Sequence, residues 1–332
     1  MLDSFFRGLF DTNMTSVISI RDFLLCVGSS LIIGVLLALM YTYRTRYTKS
    51  FVVTLALLPT VVCVVIMMVN GNVGTGVAVA GLITGMGALI VEGKMGHGIV
   101  SKDDLIITSG TYQITTAQHG LSGKDSVNIS SGILTLETGN DGIHAENTDD
   151  ASLGSLYILG GTFQITAGGD GLSAGNTLEI QGGTFQISTG DDGIHADDNV
   201  AITSGEILIS ESYEGIEGQS IDISGGNITL TASDDGLNAA GGNDESGFGR
   251  LGQGGWGQDM FDVDTNAYIH IFGGSLQMDA SGDGIDSNGS IEISGGKIYL
   301  SGPSTGDNSV LDYGSEATIS GGFFSDGPKF WS

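Results

Sequence analysis

The arrangement of hydrophobic and polar positions divides the chain into two parts near residue 82. The first part contains two uncharged apolar stretches, at positions 24–43 and 51–69. A stretch of about 20 apolar residues forms a helix that crosses the hydrocarbon core of a bilayer, and Pro59 is tolerated within such a helix. We therefore predict a membrane segment over residues 1–82 with two transmembrane helices. A helix pair buried in a water-soluble protein is the alternative.

Charged residues around these stretches predict the orientation of the hairpin. The loop between them contains three positive charges, Arg44, Arg46 and Lys49, against two ahead of the first helix. Positively charged loops stay in the cytoplasm, so both ends of the hairpin are expected outside. A third apolar stretch, residues 73–91, contains five glycines and is predicted to be a linker and the first coil of the next domain. The rest of the chain is then extracellular, with the protein located at the cell membrane.

From residue 83 onwards, short alternating apolar and polar runs recur with a regular period. A glycine followed by an apolar residue marks each repeat. These marker glycines are Gly98, Gly120, Gly142, Gly171, Gly193, Gly215, Gly236 and Gly284. Most of them are about 22 residues apart, which is within the range typical of repeat proteins. A second glycine series, which starts at Gly110, keeps the same step. Two independent markers with one period indicate a solenoid built from stacked repeats.

Each period contains three short strands separated by glycine or Asp-Gly bends. We predict a right-handed parallel β-helix of about ten coils over residues 83–332. Residues 146–152 and a Gly-rich insertion at 240–265 are expected to form loops. The only cysteines, Cys26 and Cys63, precede this part, so no disulfide can stabilise it. A propeller or a sandwich would require antiparallel strand pairs.

The net charge of the chain limits the kinds of partner and of ion that the protein is expected to bind. The chain has 38 acidic and 11 basic residues, a formal net charge of −27, which argues against nucleic acid as a partner. Stacked coils place acids in rows where they repel one another unless cations neutralise them. Carboxylate oxygens without cysteine favour Ca²⁺ as the cofactor, and the alternative is that each Asp before Gly only stabilises its turn. The predicted metal ligands are Asp141, Asp170, Asp192, Asp197, Asp198, Glu214, Glu217, Asp235, Asp283 and Asp286.

The acids are densest around one coil. Asp192, Asp197 and Asp198 surround one bend, and Glu214 and Glu217 follow one coil later. We expect up to five carboxylates near one calcium ion, with His195 donating to a neighbouring carboxylate.

A second predicted row of side chains is uncharged and points outward from the first of the three strands in each repeat. Its amide side chains could bind an extended polysaccharide across several sugar units, although a solvated sheet face has the same pattern. Sugar binding normally also requires aromatic rings, and Trp256 on the insertion is a candidate. The predicted carbohydrate-binding residues are Gln113, Gln164, Gln186, Gln277 and Trp256.

Catalytic residues are not predicted. A polysaccharide lyase needs a basic residue beside calcium, and residues 101–332 have only five: Lys102, Lys124, Arg250, Lys297 and Lys329. A hydrolase would use paired carboxylates, but adjacent acids are expected by chance in so acidic a chain.

Two resemblances extend this interpretation. Motifs such as GHGIVSKDDLIITSGTYQI, GNDGIHAENTDDASLG, GGNDESGFG and SGDGIDSNGSIEISGG resemble bacterial carbohydrate-binding β-helix domains over about residues 83–325. That resemblance implies a pectate-lyase-like fold, binding to cellulose or pectin, calcium, and no established catalysis. Residues 5–81, which include FFRGLFDTNMTSVIS, resemble an uncharacterised bacterial integral-membrane domain family in truncated form.

Together these patterns predict a membrane-anchored, cell-surface protein that binds plant-type polysaccharide with the help of calcium. Its partners are expected to be a polysaccharide and, through the hairpin, the lipid bilayer. The alternatives are a calcium-dependent polysaccharide lyase or hydrolase, and a structural adhesin or surface-assembly rod.

Overall fold

The computed structural model describes residues 29–31, 33, 36, 82–83, 87–239, 263–303, 306 and 308–327. The chain divides into two compact units, Met1–Val73 and Gly74–Ser332. The five described positions of the first unit are helical. Within the described residues, no helix has the length and apolar character needed to cross a membrane. Apart from those five positions, the hairpin predicted at 24–43 and 51–69 lies outside the described residues.

The second unit consists of short parallel strands. In chain order they are β1 (Leu82–Ile83), β2 (Ala88–Gly93), β3 (Ile99–Ser101), β4 (Asp104–Ile107), β5 (Thr111–Thr116), β6 (Leu121–Gly123), β7 (Ser126–Ile129), β8 (Ile133–Thr138), β9 (Ile143–Ala145), β10 (Ser155–Ile158), β11 (Thr162–Ala167), β12 (Leu172–Ala174), β13 (Thr177–Ile180), β14 (Thr184–Thr189), β15 (Ile194–Ile202), β16 (Glu206–Glu211), β17 (Ile216–Ile223), β18 (Asn227–Ala232), β19 (Leu237–Ala239), β20 (Tyr268–Ile271), β21 (Ser275–Ala280), β22 (Ile285–Ser287), β23 (Ser290–Ile293), β24 (Lys297–Ser301), β25 (Leu311–Tyr313), β26 (Glu316–Ile319) and β27 (Phe323–Asp326).

Each coil contributes one strand to each of three faces. The first face contains the shortest strands, such as β9 and β12, and the second contains slightly longer ones, such as β10 and β13. The third face is a ten-stranded sheet in the order β2-β5-β8-β11-β14-β16-β18-β21-β24-β27. Strands β15 and β17 run through both the first and second faces, which joins those faces into one 17-stranded sheet. The predicted parallel β-solenoid of about ten coils is therefore confirmed.

The core is built from inward rows of aliphatic side chains, one residue from each coil. On the third face, the alternation of exposed and buried positions in TFQITA and TFQIST places Phe163 and Phe185 inward. Their rings stack with centroids 4.5 Å apart and planes 3° apart. Because equivalent residues are hydrogen-bonded neighbours, each coil buries its apolar side chains against the next coil.

The marker glycines allow the coils to approach closely. A Cβ atom on Gly193 would lie 2.6 Å from the carbonyl oxygen of Gly215 and 2.6 Å from Cδ1 of Ile209. The second glycine series serves the other bend, where Gly183 has a φ of 117° that disfavours residues with a side chain. The two sequence markers therefore correspond to two different requirements of the backbone.

The predicted loop after β9 is held by its own polar groups. Asn147 Oδ1 accepts hydrogen bonds from the amides of Asp149 and Asp150, at 2.9 and 3.0 Å. Lys124 of the preceding coil pairs with Asp149. Most of the Gly-rich insertion, residues 240–262, lies outside the described residues.

The close approach at Gly193 generates a stability prediction. We expect Gly193→Ala to lower the free energy of unfolding by about 1–3 kcal/mol, because the added methyl group must displace backbone in the next coil. Gly160→Ala is the matched control, because the one described atom near its Cβ is a carbonyl oxygen at 3.7 Å. Denaturant unfolding measures both variants, and equal losses of stability would contradict this role for Gly193.

Candidate functional site

The predicted polar row forms one continuous strip on the third face. Gln164 pairs directly with Gln186, and the same register extends in both directions along the sheet. Gln113, Gln164 and Gln186 are exposed, and Gln277 is half-buried. We call this row the glutamine strip; it consists of Gln113, Thr135, Gln164, Gln186, Leu208, Thr229, Gln277 and Tyr299.

Short hydroxyl side chains border part of the strip. Thr162 and Thr184 form a row on one side, and Thr166 and Ser188 form a row on the other. The strands that carry these rows pair in register, so this part of the third face is rich in hydrogen-bonding groups, and Glu137 and Glu206 lie one coil away in the bordering rows. Trp256, the predicted aromatic partner, lies outside the described residues.

The C-terminal end of the strip carries an aromatic pair. The rings of Tyr299 and Phe323 are 5.3 Å apart and tilted by 47°. Phe323 is half exposed and is not among the predicted site residues. The sequence did contain the signal, because SGGFF aligns with QGGTF and gives Phe323 the outward position of Thr184.

Two further rows run along the first face. The turn column is the residue before each marker glycine, and the strand column is the residue that lies three positions later. The turn column contains His97, His119, Asp141, Asp170, Asp192, Glu214, Asp235 and Asp283. The strand column contains Val100, Ser122, His144, Ser173, His195, Glu217, Asn238 and Asp286, and Asp312 continues it in register.

One carboxylate oxygen of most turn-column acids is used for backbone hydrogen bonding. Oδ1 atoms of Asp141, Asp170 and Asp192 each accept the amide of the next acid in the column, at 3.1 Å. Oδ1 of Asp235 accepts the amide of Asp283 at 2.5 Å. These oxygens bond the backbone of the next coil, not that of their own turn as the turn interpretation expected, and the second oxygen of each carboxylate is left for other contacts.

The second oxygens and the strand column form compact groups. In each group the candidate ligand atoms lie within 4.8 Å of one another. The four groups in the described residues are His119–Asp141–His144, Asp170–Asp191–Asp192, Asp192–His195–Glu217 and Asp235–Asp283–Asp286.

The predicted calcium coil is only partly assembled around one point. Nδ1 of His195 lies 2.5 Å from Glu217 Oε2 and 3.4 Å from Asp192 Oδ2. Its Nε2 lies 3.1 Å from Asp197 Oδ1, so His195 contacts carboxylates as expected. The Glu214 carboxylate is turned away, since both of its oxygens accept from Asn238 Nδ2 at 2.9 Å. Asp198 is exposed and is not a member of the group.

Two buried oxygen atoms beside this group have no hydrogen-bond partner. They are Oε1 of Glu217 and Oδ1 of Asn238, which occupy paired positions in neighbouring coils. Leaving a buried acceptor unsatisfied costs free energy, and a cation is one kind of partner that satisfies such an acceptor. Carboxylate and amide oxygens are the ligands that Ca²⁺ prefers, so the residues present fit this ion. Asn238 was absent from the predicted ligands because only acids were included.

The electrostatics of the ladder also favour a cation. Burial, followed by repulsion from Asp192 and Asp141, raises the pKa of Asp170 to about 8. Burial also raises the pKa of Asp235 to about 8, although the hydrogen bond from the Asp283 amide opposes this effect. The pKa of Asp286 rises to about 6 for the same main reason, burial. Asp170 and Asp235 therefore retain protons near neutral pH unless positive charge is brought to them.

Imidazole groups neutralise the N-terminal end of the columns. Nδ1 atoms of His119 and His144 lie 2.9 and 2.8 Å from Asp141 Oδ2. Burial alone would raise the pKa of Asp141, but these two histidines hold it well below its usual range. The rings of His119 and His144 stack at 4.1 Å with planes 13° apart, and His97 extends the stack at 4.9 Å. Asp141 thus has two imidazole partners in direct contact with one oxygen.

Two of the lysines are directed away from the acid columns. Lys124 pairs with Asp149 of the loop after β9, and Lys297 begins a strand of the third face. Neither of them lies beside the carboxylates of the first face, where a lyase would need a base.

Similarity to previously characterised proteins is distant. No curated protein matches the chain. Among solved structures, the polysaccharide lyase-like protein from C. thermocellum, determined as a gadolinium derivative, is similar at 16% identity. The match covers 75% of this chain and 98% of that one, with a TM-score of 0.35.

A family model described as carbohydrate-binding domain-containing protein matches residues 81–236 and 189–322. These two ranges together span nearly the whole solenoid and well over half of the chain. The protein therefore belongs to the carbohydrate-binding domain-containing family.

Proposed function

We propose that this protein is a membrane-anchored, cell-surface protein that binds plant-type polysaccharide: cellulose through the glutamine strip, and pectin through calcium held on the first face. The observation that carries the proposal is the direct pairing of Gln164 with Gln186 on the outward side of the ten-stranded sheet. Family membership supports the class of ligand.

The strip matches an extended glycan in chemistry and in shape. A glutamine amide both donates and accepts hydrogen bonds, as sugar hydroxyl groups do. Neighbouring rungs are about 4.8 Å apart, so the row from Gln113 to Tyr299 can contact several consecutive sugar units. Tyr299 and Phe323 supply apolar ring surface at one end, against which a sugar ring can pack.

Calcium has a separate role in the proposal. Glu217 and Asn238 would hold the ion with their unpartnered oxygens, beside Asp192. A calcium ion bound there supplies positive charge that the buried carboxylates otherwise lack. Calcium held at the exposed acids of the same bend, Asp197 and Asp198, would bridge an acidic sugar to the acidic protein surface. Uronate polymers such as pectin would be repelled without it, whereas neutral cellulose would not.

The membrane hairpin completes the proposal. Two apolar stretches joined by a positively charged loop would hold the solenoid on the outer side of the membrane. An anchored binder of this kind would hold the cell against an insoluble polysaccharide.

The first prediction tests the strip directly. We expect Gln164→Ala combined with Gln186→Ala to weaken retention on insoluble cellulose by roughly tenfold, because two neighbouring hydrogen-bonding rungs are lost. The matched control is Gln118→Ala with Gln181→Ala, two exposed glutamines that lie off the strip. Depletion from solution by increasing amounts of cellulose gives the affinity. If both double variants bind like the unaltered protein, the strip is not the binding surface.

The second prediction separates neutral from acidic ligands. We expect a calcium chelator to abolish binding to polygalacturonate and to leave binding to cellulose unchanged, because only the uronate needs a bridging cation. The full chain is assayed against both polymers with chelator and again after calcium is restored. Pectate binding that persists in chelator would refute calcium bridging while leaving cellulose binding intact.

The third prediction concerns pH in calcium-free protein. The pKa of Asp170 is about 8 when folded, against an ordinary value of 3.8, so the folded state holds a proton that the unfolded state loses. Stability from this group is therefore complete at low pH and is lost as pH rises towards the folded pKa. Asp170→Asn is always uncharged, and its oxygen can still accept the Asp192 amide. We expect the Tm of this variant to exceed that of the parent at about pH 9, above the folded pKa.

The comparison is made by thermal unfolding in chelator across the range from mildly acidic to alkaline pH. Asp103→Asn, at an exposed position, serves as the control and should follow the parent. A pH profile of Asp170→Asn identical to that of the parent would show that the Asp170 carboxyl bears no electrostatic strain.

A further inference from the structure

A row of aromatic side chains lies outward on the second face, on a different side of the coil from the glutamine strip. Ile269 and Ile271 of β20 point into the core, so Tyr268, His270 and the following Phe272 point outward. The rings of Tyr268 and His270 stack at 4.2 Å, and the ring of Phe272 meets that of His270 edge-on at 5.6 Å. We call these three residues the aromatic ridge.

The ridge is fixed in place by one acid on the neighbouring coil. Tyr268 donates its hydroxyl proton to Asp222 Oδ2 at 3.0 Å, and His270 Nδ1 lies 3.5 Å from Asp222 Oδ1. Asn199 also donates to Asp222 Oδ2, at 3.2 Å. Rings that are already ordered lose little conformational entropy when a ligand packs against them. Phe272, at the end of the ridge, keeps 46% of its surface exposed.

Small polar residues flank Tyr268 on both sides. Ser220 and Ser290 are the register partners of Tyr268 in the neighbouring coils. A hollow lies beside the Tyr268 end of the ridge, where Ser290 and the preceding residue Ala267 line it. That hollow is a cavity of about 300 Å³, and the residues that line it include Asp264, Thr265, Ala267, Ser290, Ser315 and Glu316.

This combination of apolar rings and polar acceptors is suited to a sugar. Aromatic faces and edges pack against the C–H groups of a pyranose, while carboxylate and hydroxyl oxygens bond its hydroxyl groups. Asp222 and Glu292 flank His270 on either side in register, and both can accept from sugar hydroxyls.

Charge selects among the sugars. The described outward positions of the second-face strands hold several acids, among them Glu179, Asp222, Glu292 and Glu316, and no lysine or arginine. A uronate would meet only negative charge there. It would also find no bridging calcium, because the acid columns lie on the first face. The complementary ligand is an uncharged sugar chain.

We propose that the aromatic ridge and the adjoining cavity form a second glycan-binding site, specific for neutral oligosaccharide and independent of calcium. This inference rests on the proposed function for the class of ligand, but it assigns a different face and a different selectivity. The glutamine strip binds an extended polymer lying along the third face, whereas the ridge binds a short stretch of free chain.

The test uses the full chain in chelator and isothermal titration with two soluble probes, cellohexaose and a galacturonate hexamer. We expect cellohexaose to bind and the galacturonate hexamer not to bind. Phe272→Ala should weaken cellohexaose binding by roughly three- to tenfold, and Phe272→Tyr, which keeps the ring, should restore it. Tyr157→Ala is the matched control, because Tyr157 is an outward, partly exposed ring on the same face.

The strip variant makes the two sites distinguishable. Phe272→Ala should weaken cellohexaose binding by the same factor in the Gln164→Ala, Gln186→Ala background, while the strip variant alone impairs retention on insoluble cellulose. Loss of cellohexaose binding in the strip variant but not in Phe272→Ala would overturn the ridge and uphold the strip. Calcium-dependent binding, or equal binding of the galacturonate hexamer, would likewise overturn the ridge. Retention on cellulose by a chain that binds no cellohexaose would do the same.

Discussion

The hydrogen-bonded register between successive coils is the constraint on which every other feature depends. Each strand pairs with its equivalent in the next coil, so a residue type that recurs in the sequence becomes a row in space. The same rule that stacks Phe163 on Phe185 in the core places Gln164 beside Gln186 outside and Asp170 beside Asp192 at the turn. Stacking is favourable for aliphatic and amide side chains. It is unfavourable for carboxylates, and the backbone amides that donate to the acid columns and the histidines beside Asp141 offset part of the repulsion.

Much of this arrangement was predictable, because a regular sequence period fixes both the register and the face of each residue. The glutamine strip and the turn column follow directly from counting along the repeat. The outward direction of Tyr268 and Phe272 also follows, once Ile269 and Ile271 are assigned to the core. The sequence of this strand contained the information, but outward aromatic residues occur there in one coil only. A search for recurring positions therefore does not find them.

Side-chain direction was not predictable from the period. Glu214 and Glu217 both lie in the coil that follows the coil of Asp192. Even so, the Glu214 carboxylate contacts Asn238, whereas the Glu217 carboxylate contacts His195. That choice depends on which donor is in reach across a step of about 4.8 Å, and a repeat pattern does not record it. The membrane hairpin and the orientation deduced from Arg44, Arg46 and Lys49 remain predictions, since they fall almost entirely outside the described residues.

The similarity of the coils has a consequence for how such a protein can change over time. Because each coil contacts only its two neighbours, duplication or loss of one whole repeat leaves every remaining interface intact. Such an event lengthens or shortens the glutamine strip by one rung without rebuilding the core. The length of the glutamine strip is therefore set by the number of repeats that the gene encodes, and it changes by one rung at a time. The spacing from Gly215 to Gly236 is one residue shorter than the spacing from Gly193 to Gly215. The fold therefore tolerates a repeat that is one residue short.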